Sequence, residues 1–203
     1  LQQKAIQQNP YHLDYYLAFS NTNIQLANAL LQNKDSNQET TSQLINFALE
    51  YAREAQTKWP RYARISQQLA EIYQSLVGAS EEAPQLALAQ YSQAINLDSA
   101  NPQLYFARGQ LFTQLKSYDQ AVDSFKIATN LKPNWVLAWY QLGLAQVNNQ
   151  RDDLAQQAFI QALNLSTSEE EQKTIDEAIQ ALDITPTPTV TIQPTQPTPN
   201  ELE

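Results

Sequence analysis

Apolar residues recur in steps of three and four along most of this chain, the spacing of amphipathic helices. Short polar or Pro-bearing stretches break the pattern into helix-length pieces. Toward the C-terminal half the punctuation becomes periodic. Gly109, Ala121, Phe125, Ala128 and Leu131 have counterparts at Gly143, Ala155, Phe159, Ala162 and Leu165, each 34 residues further on. One step back, Ala87, Tyr91, Ala94 and Leu97 continue the series. Three consecutive segments therefore share Ala-x3-aromatic-x2-Ala-x2-Leu.

The repeated small residues have a physical reason. Two antiparallel helices approach closely only where the contact face carries Gly or Ala. The aromatic four residues after the Ala fills the space between them. A single pair cannot bury its apolar face, so neighbouring pairs must stack.

Period and pattern resemble the tetratricopeptide repeat. Residues 136–169 carry Trp139-x2-Leu142-Gly143, then Ala155, Phe159 and Ala162. They depart from the family at Gln146, where an aromatic is usual, and at Thr167, where Pro is usual. Residues 102–135 carry Tyr105, Gly109, Phe112, Tyr118, Ala121, Phe125, Ala128 and Pro133, with Arg108 in place of Leu. The resemblance implies an all-α, right-handed solenoid of about four helix pairs, with Tyr105, Phe112, Phe125, Trp139 and Phe159 in its core.

Upstream the match loosens. Leu69-Ala70-x2-Tyr73 reads as the first helix of an earlier unit, with Ala87 in its second helix and an over-long loop across 77–85. Ala48, Ala55 and Pro60 read as the end of another second helix, Phe19 and Ser20 as part of the helix before it, and 33–38 as a polar connection. Ala5 and Pro10 repeat the Ala55 to Pro60 spacing, so 1–9 reads as the end of a preceding repeat helix. The chain then reads as a piece of something longer. The expected organisation is an array over 10–184, in units of about 10–62, 63–101, 102–135 and 136–167 plus a capping helix over 168–184. Ser168 followed by Glu171 predicts a capping box at that helix's start, and Ile175, Ala178, Ile179 and Leu182 form its apolar stripe. From 185 to 203 alternating Thr and Pro forbid helix and predict an extended tail: a linker, a stalk or a ligand for its own or an adjacent copy.

Composition narrows the chemistry. There is no Cys, three Gly and one His. Disulfides, thiol nucleophiles, zinc-cysteine sites, glycine-rich phosphate loops and two-imidazole sites are thereby excluded. Net charge is −9, which repels nucleic acid and anionic membranes. Only 16% of residues are charged, against about a quarter in an average protein. Gln and Asn supply the remaining polarity, so the surface is suited to hydrogen bonding. No apolar run approaches the ~18 residues that span a bilayer, so direct membrane insertion of this chain is not expected.

His12, Asp14 and Ser20 have the residue types of a hydrolase triad, without a nucleophile elbow or a strand to present them. Asp119 with Asp123, and Asp152 with Asp153, open second helices of repeats, where the helix dipole favours carboxylates over a metal-binding role. No catalysis, metal or cofactor is expected.

In the family that this sequence resembles, the first helix of each pair lines the concave surface. That resemblance places Phe106 and Tyr140 there, 34 residues apart, among Gln103, Gln110, Thr113, Gln114, Leu137, Gln141, Leu144 and Asn148. Arg64, Gln67, Gln68, Glu71 and Gln74 come from the unit before. Aromatic rings among amides form a plausible strip for a protein or peptide segment, and the expected function is a protein-interaction scaffold. Relatives that clamp the carboxylate-ended tail of a chaperone do so with Lys, Arg and Asn. The matching positions here read Leu17, Gln67, Phe106 and Tyr140, so that ligand is not expected. Residues 9–16 resemble, as one short motif, repeat arrays appended to bacterial O-antigen ligase-type membrane proteins. That resemblance implies an extracytoplasmic, membrane-tethered domain serving surface polysaccharide assembly, and it is the alternative reading.

Overall fold

The computed structural model describes residues 2–31 and 38–182. They form ten helices: α1 (Gln2–Gln8), α2 (Leu13–Leu31), α3 (Gln38–Lys58), α4 (Ala63–Ser75), α5 (Ala83–Leu97), α6 (Pro102–Gln114), α7 (Tyr118–Leu131), α8 (Val136–Asn148), α9 (Asp152–Leu165) and α10 (Glu169–Gln180). Helices α2/α3, α4/α5, α6/α7 and α8/α9 are packed pairs. α10 closes on α9, and α1 rests on α2. The architecture is an all-helical solenoid. The Thr/Pro tail and the polar connection between α2 and α3 lie outside the described residues, and so does any self-association through the tail.

Local signals set the helix ends. Pro102 occupies the first turn of α6, where its missing N–H costs no helical bond. The Asn101 side chain accepts the Gln103 N–H at 3.0 Å and caps the same helix. At α10, Ser168 Oγ accepts the Glu171 N–H at 3.5 Å. Only this half of the expected capping box forms, because the Glu171 carboxylate accepts instead from the Ser166 hydroxyl, at 2.9 Å.

The turns inside the last two pairs repeat like the helices. Lys116 and Gln150 both have φ 58°, a left-handed conformation that side chains disfavour. Each lies within a tight return: Ser117 N–H bonds Phe112 O at 2.8 Å, and Arg151 N–H bonds Gln146 O at 2.9 Å. Glycine adopts this φ without a Cβ clash. Gln150→Gly is therefore expected to stabilise the protein by about 0.5–1 kcal/mol, read as a raised urea midpoint.

Glycine and aromatic meet where the period places them. A methyl carbon added at Gly109 would stand 2.7 Å from Phe125 Cε1, and one at Gly143 only 2.4 Å from Phe159 Cε1. Both rings are fully buried. In the unit before, Ala70 replaces the glycine and Tyr91 the phenylalanine. Tyr91 is also fully buried, and its hydroxyl donates to Gln74 Oε1 at 2.7 Å. Burial pushes the Tyr91 phenol well above its usual range.

The first pair is longer than the rest: α2 has 19 residues and α3 has 21, against 13 and 14 in α6/α7 and in α8/α9. The connection between α4 and α5 spans 76–82, against 115–117 and 149–151 in the later pairs. Three aromatics expected in the core are only half-buried: Tyr105, Phe112 and Trp139. Two of them keep a polar tip satisfied at the rim. Tyr105 Oη donates to Ser99 O at 3.1 Å and Trp139 Nε1 to Pro133 O at 2.8 Å. Among the described residues no helix is long and apolar enough to cross a membrane.

Candidate functional site

By the family resemblance, the first helix of each pair, α2, α4, α6 and α8, faces the inner side of the solenoid. Two hollows open there. The first, about 360 Å³, lies between α4 and the start of α6, lined by Ala63, Arg64, Gln67, Gln68, Glu71, Asp98, Asn101 and Gln103. The second, about 430 Å³, lies between α8 and α10, lined by Val136, Leu137, Tyr140, Ser168, Glu170, Glu171, Thr174 and Ile175.

The structure thus brings Arg64, Gln67, Glu71 and Gln103 together in one polar hollow. Arg64 Nη1 lies 3.2 Å from Asp14 Oδ1, and Gln67 Nε2 donates to Glu71 Oε1 at 2.9 Å. The Arg64–Asp14 pair is largely exposed and contributes little to stability. Gln110 and Gln114 are exposed along α6. Leu137, 48% exposed, and Tyr140 stand at the second hollow, which is more apolar. Gln141 and Leu144 are half-buried, and Leu144 packs against the core cluster that contains Phe159 and Ile175.

Phe106 is a correction. Expected on the open concave face, it is only 8% exposed. Its ring packs edge-on against Phe125, with centroids 5.5 Å apart, and under Trp135 at 4.5 Å. Tyr140, one repeat later, makes the corresponding contact to Phe159 at 5.6 Å. The difference lies in what covers them. Trp135 precedes α8, and the residue 34 positions on is Glu169, the first of α10. A carboxylate cannot roof an aromatic ring as an indole does, so Tyr140 remains at the edge of a hollow.

The other candidate clusters have separate partners. His12 stacks on Tyr15 at 4.3 Å, Asp14 meets Arg64, and the buried Ser20 hydroxyl donates to Ala48 O at 2.7 Å. Asp119 accepts from Asn149 Nδ2 at 2.7 Å and lies 3.6 Å from Arg151, tying α7 to the turn before α9.

Family models place the matter in sequence. A model described as TPR repeat matches 85–116 and 109–150, and one described as tetratricopeptide repeat matches 136–169. Over residues 85–169, then, the chain matches tetratricopeptide repeats. Among relatives, the peroxisomal targeting signal receptor of Saccharomyces cerevisiae is 31% identical over 116 residues, 56% of this chain but 19% of the receptor. This chain therefore spans about a fifth of that relative's length. Among solved structures, TTC0263, a thermophilic TPR protein of Thermus thermophilus, matches with TM-score 0.66 and 20% identity, over 88% of this chain and 87% of its own. The first TPR of Spaghetti (RPAP3), bound to the HSP90 peptide SRMEEVD, matches with TM-score 0.51 and 20% identity, over 60% of this chain and 94% of its own. At these identities the structural matches establish the tetratricopeptide fold.

Proposed function

We propose that this chain is a protein-interaction module holding an extended partner segment along α4, α6 and α8. The carrying observation is the pair of inner hollows, one rich in amides and one with an apolar floor beside Tyr140. Gln67, Gln68, Gln103, Gln110 and Gln114 offer both donors and acceptors to a peptide backbone. Leu137 and Tyr140 receive an apolar side chain of that segment. Glu71, Asp98, Glu170 and Glu171 line the two hollows against Arg64 as their one lining cation, so the segment is basic.

The ligand held by the RPAP3 repeat is not carried over. That peptide is acidic, and an acidic tail would meet carboxylates here. The extracytoplasmic reading rests on 9–16 alone, and those residues already serve the fold: Pro10 O accepts from Tyr16 Oη at 3.2 Å and from Lys58 Nζ at 3.2 Å.

Selection of a random peptide library on the full chain tests the proposal. The expected consensus is an apolar residue flanked by Lys or Arg. Tyr140→Ala is expected to weaken the selected peptides about tenfold with the far-UV circular dichroism unchanged. No enriched sequence, or binding untouched by both Tyr140→Ala and Gln67→Ala, would remove the inner face from consideration.

A further inference from the structure

A third hollow, about 590 Å³, opens on the opposite side of the solenoid, between the outer helices α7 and α9. Its floor is Trp139, Leu142 and Ala158, and Lys126 stands on its α7 wall. Gln146 also lines it. This side chain is 3% exposed, and its Oε1 has no hydrogen-bond partner. A buried carbonyl oxygen without a donor costs about 1–3 kcal/mol, and because Gln146 lines the cavity, a donor that enters it can satisfy this oxygen after a small turn of the amide.

The repeat register identifies the group. Gln146 stands where Phe112 stands one unit earlier and where Tyr73 stands in the unit before that, three residues after Gly143, Gly109 and Ala70 respectively. Tyr73 shows what a ring does at this position. It is 6% exposed, and its hydroxyl accepts from Arg53 Nη2 at 2.7 Å and Nε at 3.2 Å, on the preceding outer helix α3. Arg53 lies two residues before Ala55, as Lys126 lies two residues before Ala128. The junction of α7 with α8 therefore keeps the cation of this arrangement and lacks its phenol.

We propose that the α7–α9 groove binds a tyrosine side chain of a partner protein, which supplies from outside the ring that Gln146 omits. The phenol oxygen accepts from Lys126, as Tyr73 accepts from Arg53, and the phenol O–H donates to Gln146 Oε1. The ring lies on Trp139, Leu142 and Ala158. Tyrosine meets both requirements, whereas an indole donates only and phenylalanine does neither. This site is on the face opposite the inner hollows and stands independently of the function proposed for them.

Titrating the ¹⁵N-labelled full chain with N-acetyl-tyrosinamide, and separately with N-acetyl-phenylalaninamide, tests it. Expected are saturable shifts of the Trp139 indole N–H and the Thr129 and Ala158 amides, with the tyrosine probe bound about tenfold more tightly. Lys126→Ala and Gln146→Leu should each erase that preference. Gln146→Phe, which refills the position as Phe112 does, should abolish binding while raising the urea midpoint. Equal affinity for the two probes, or binding that survives Gln146→Phe, would overturn the proposal. So would groove shifts that appear with protein concentration alone and vanish in Tyr11→Phe, because they would seat the exposed Tyr11 of a second copy there.

Discussion

Phe106→Ala is expected to cost about 3–5 kcal/mol, whereas Tyr140→Ala, at the same position of the next repeat, is expected to cost about 1–2 kcal/mol. Both rings pack on the aromatic of their own pair, Phe125 or Phe159, at nearly the same centroid distance. Phe106 has a second neighbour in Trp135, and removing it leaves a ring-sized void between two repeats. Tyr140 borders a hollow into which side chains of α10 can relax, so its loss leaves less unfilled volume. The damage from Phe106→Ala should also spread. Each repeat is stabilised chiefly by its neighbours, and Trp135 joins the third unit to the fourth. Urea unfolding followed by far-UV circular dichroism is expected to show a lowered midpoint and a shallower transition for Phe106→Ala, as the array stops unfolding as one unit. Equal losses for the two substitutions would mean that α10 roofs Tyr140 as fully as Trp135 roofs Phe106.

That contrast marks how far the sequence could be read. The helical pairing was legible because Gly109 with Phe125 and Gly143 with Phe159 are one contact repeated, and its two halves are a fixed distance apart in the chain. The polar hollow was legible for a similar reason, since Arg64, Gln67 and Glu71 lie on one turn-spaced face of α4. The burial of Phe106 is not legible in its own repeat, because it depends on Trp135, which leads into the following unit. Position along a helix decides which side a residue faces, but not whether a neighbour folds over it. The signal existed: Trp135 and Glu169 are 34 residues apart and chemically unlike, which separates a covered ring from an open one. Gln146 was visible as a departure from the repeat. Its buried, unpartnered oxygen was not, because that depends on how α7 and α9 stand on either side of it.

Gly143→Val is expected to destabilise the protein by about 3 kcal/mol, the upper part of the range for overpacking a core. Two effects compete at this position. Replacing a helical glycine removes its excess chain entropy, and for valine the gain is a few tenths of a kcal/mol. Against it stands the Phe159 ring, whose Cε1 and Cδ1 would lie 2.4 and 2.6 Å from the new Cβ. The ring is fully buried and Ala155 and Ala162 are fully buried with it, so it cannot yield by moving into solvent. Sterics therefore win. Alanine is a graded control, since Ala70 occupies this repeat position opposite Tyr91 and both are fully buried. A single methyl is thus compatible with the pair once the ring sits further off, and Gly143→Ala should cost about 1 kcal/mol. The branched methyls of valine need a larger displacement, which would push Phe159 onto Tyr140 and disturb α8 against α9. The expected order of urea midpoints is wild type, then Gly143→Ala, then Gly143→Val. A valine variant that unfolds at the wild-type midpoint would show that Phe159 has a second place to rest, and that close approach is not what the glycine provides.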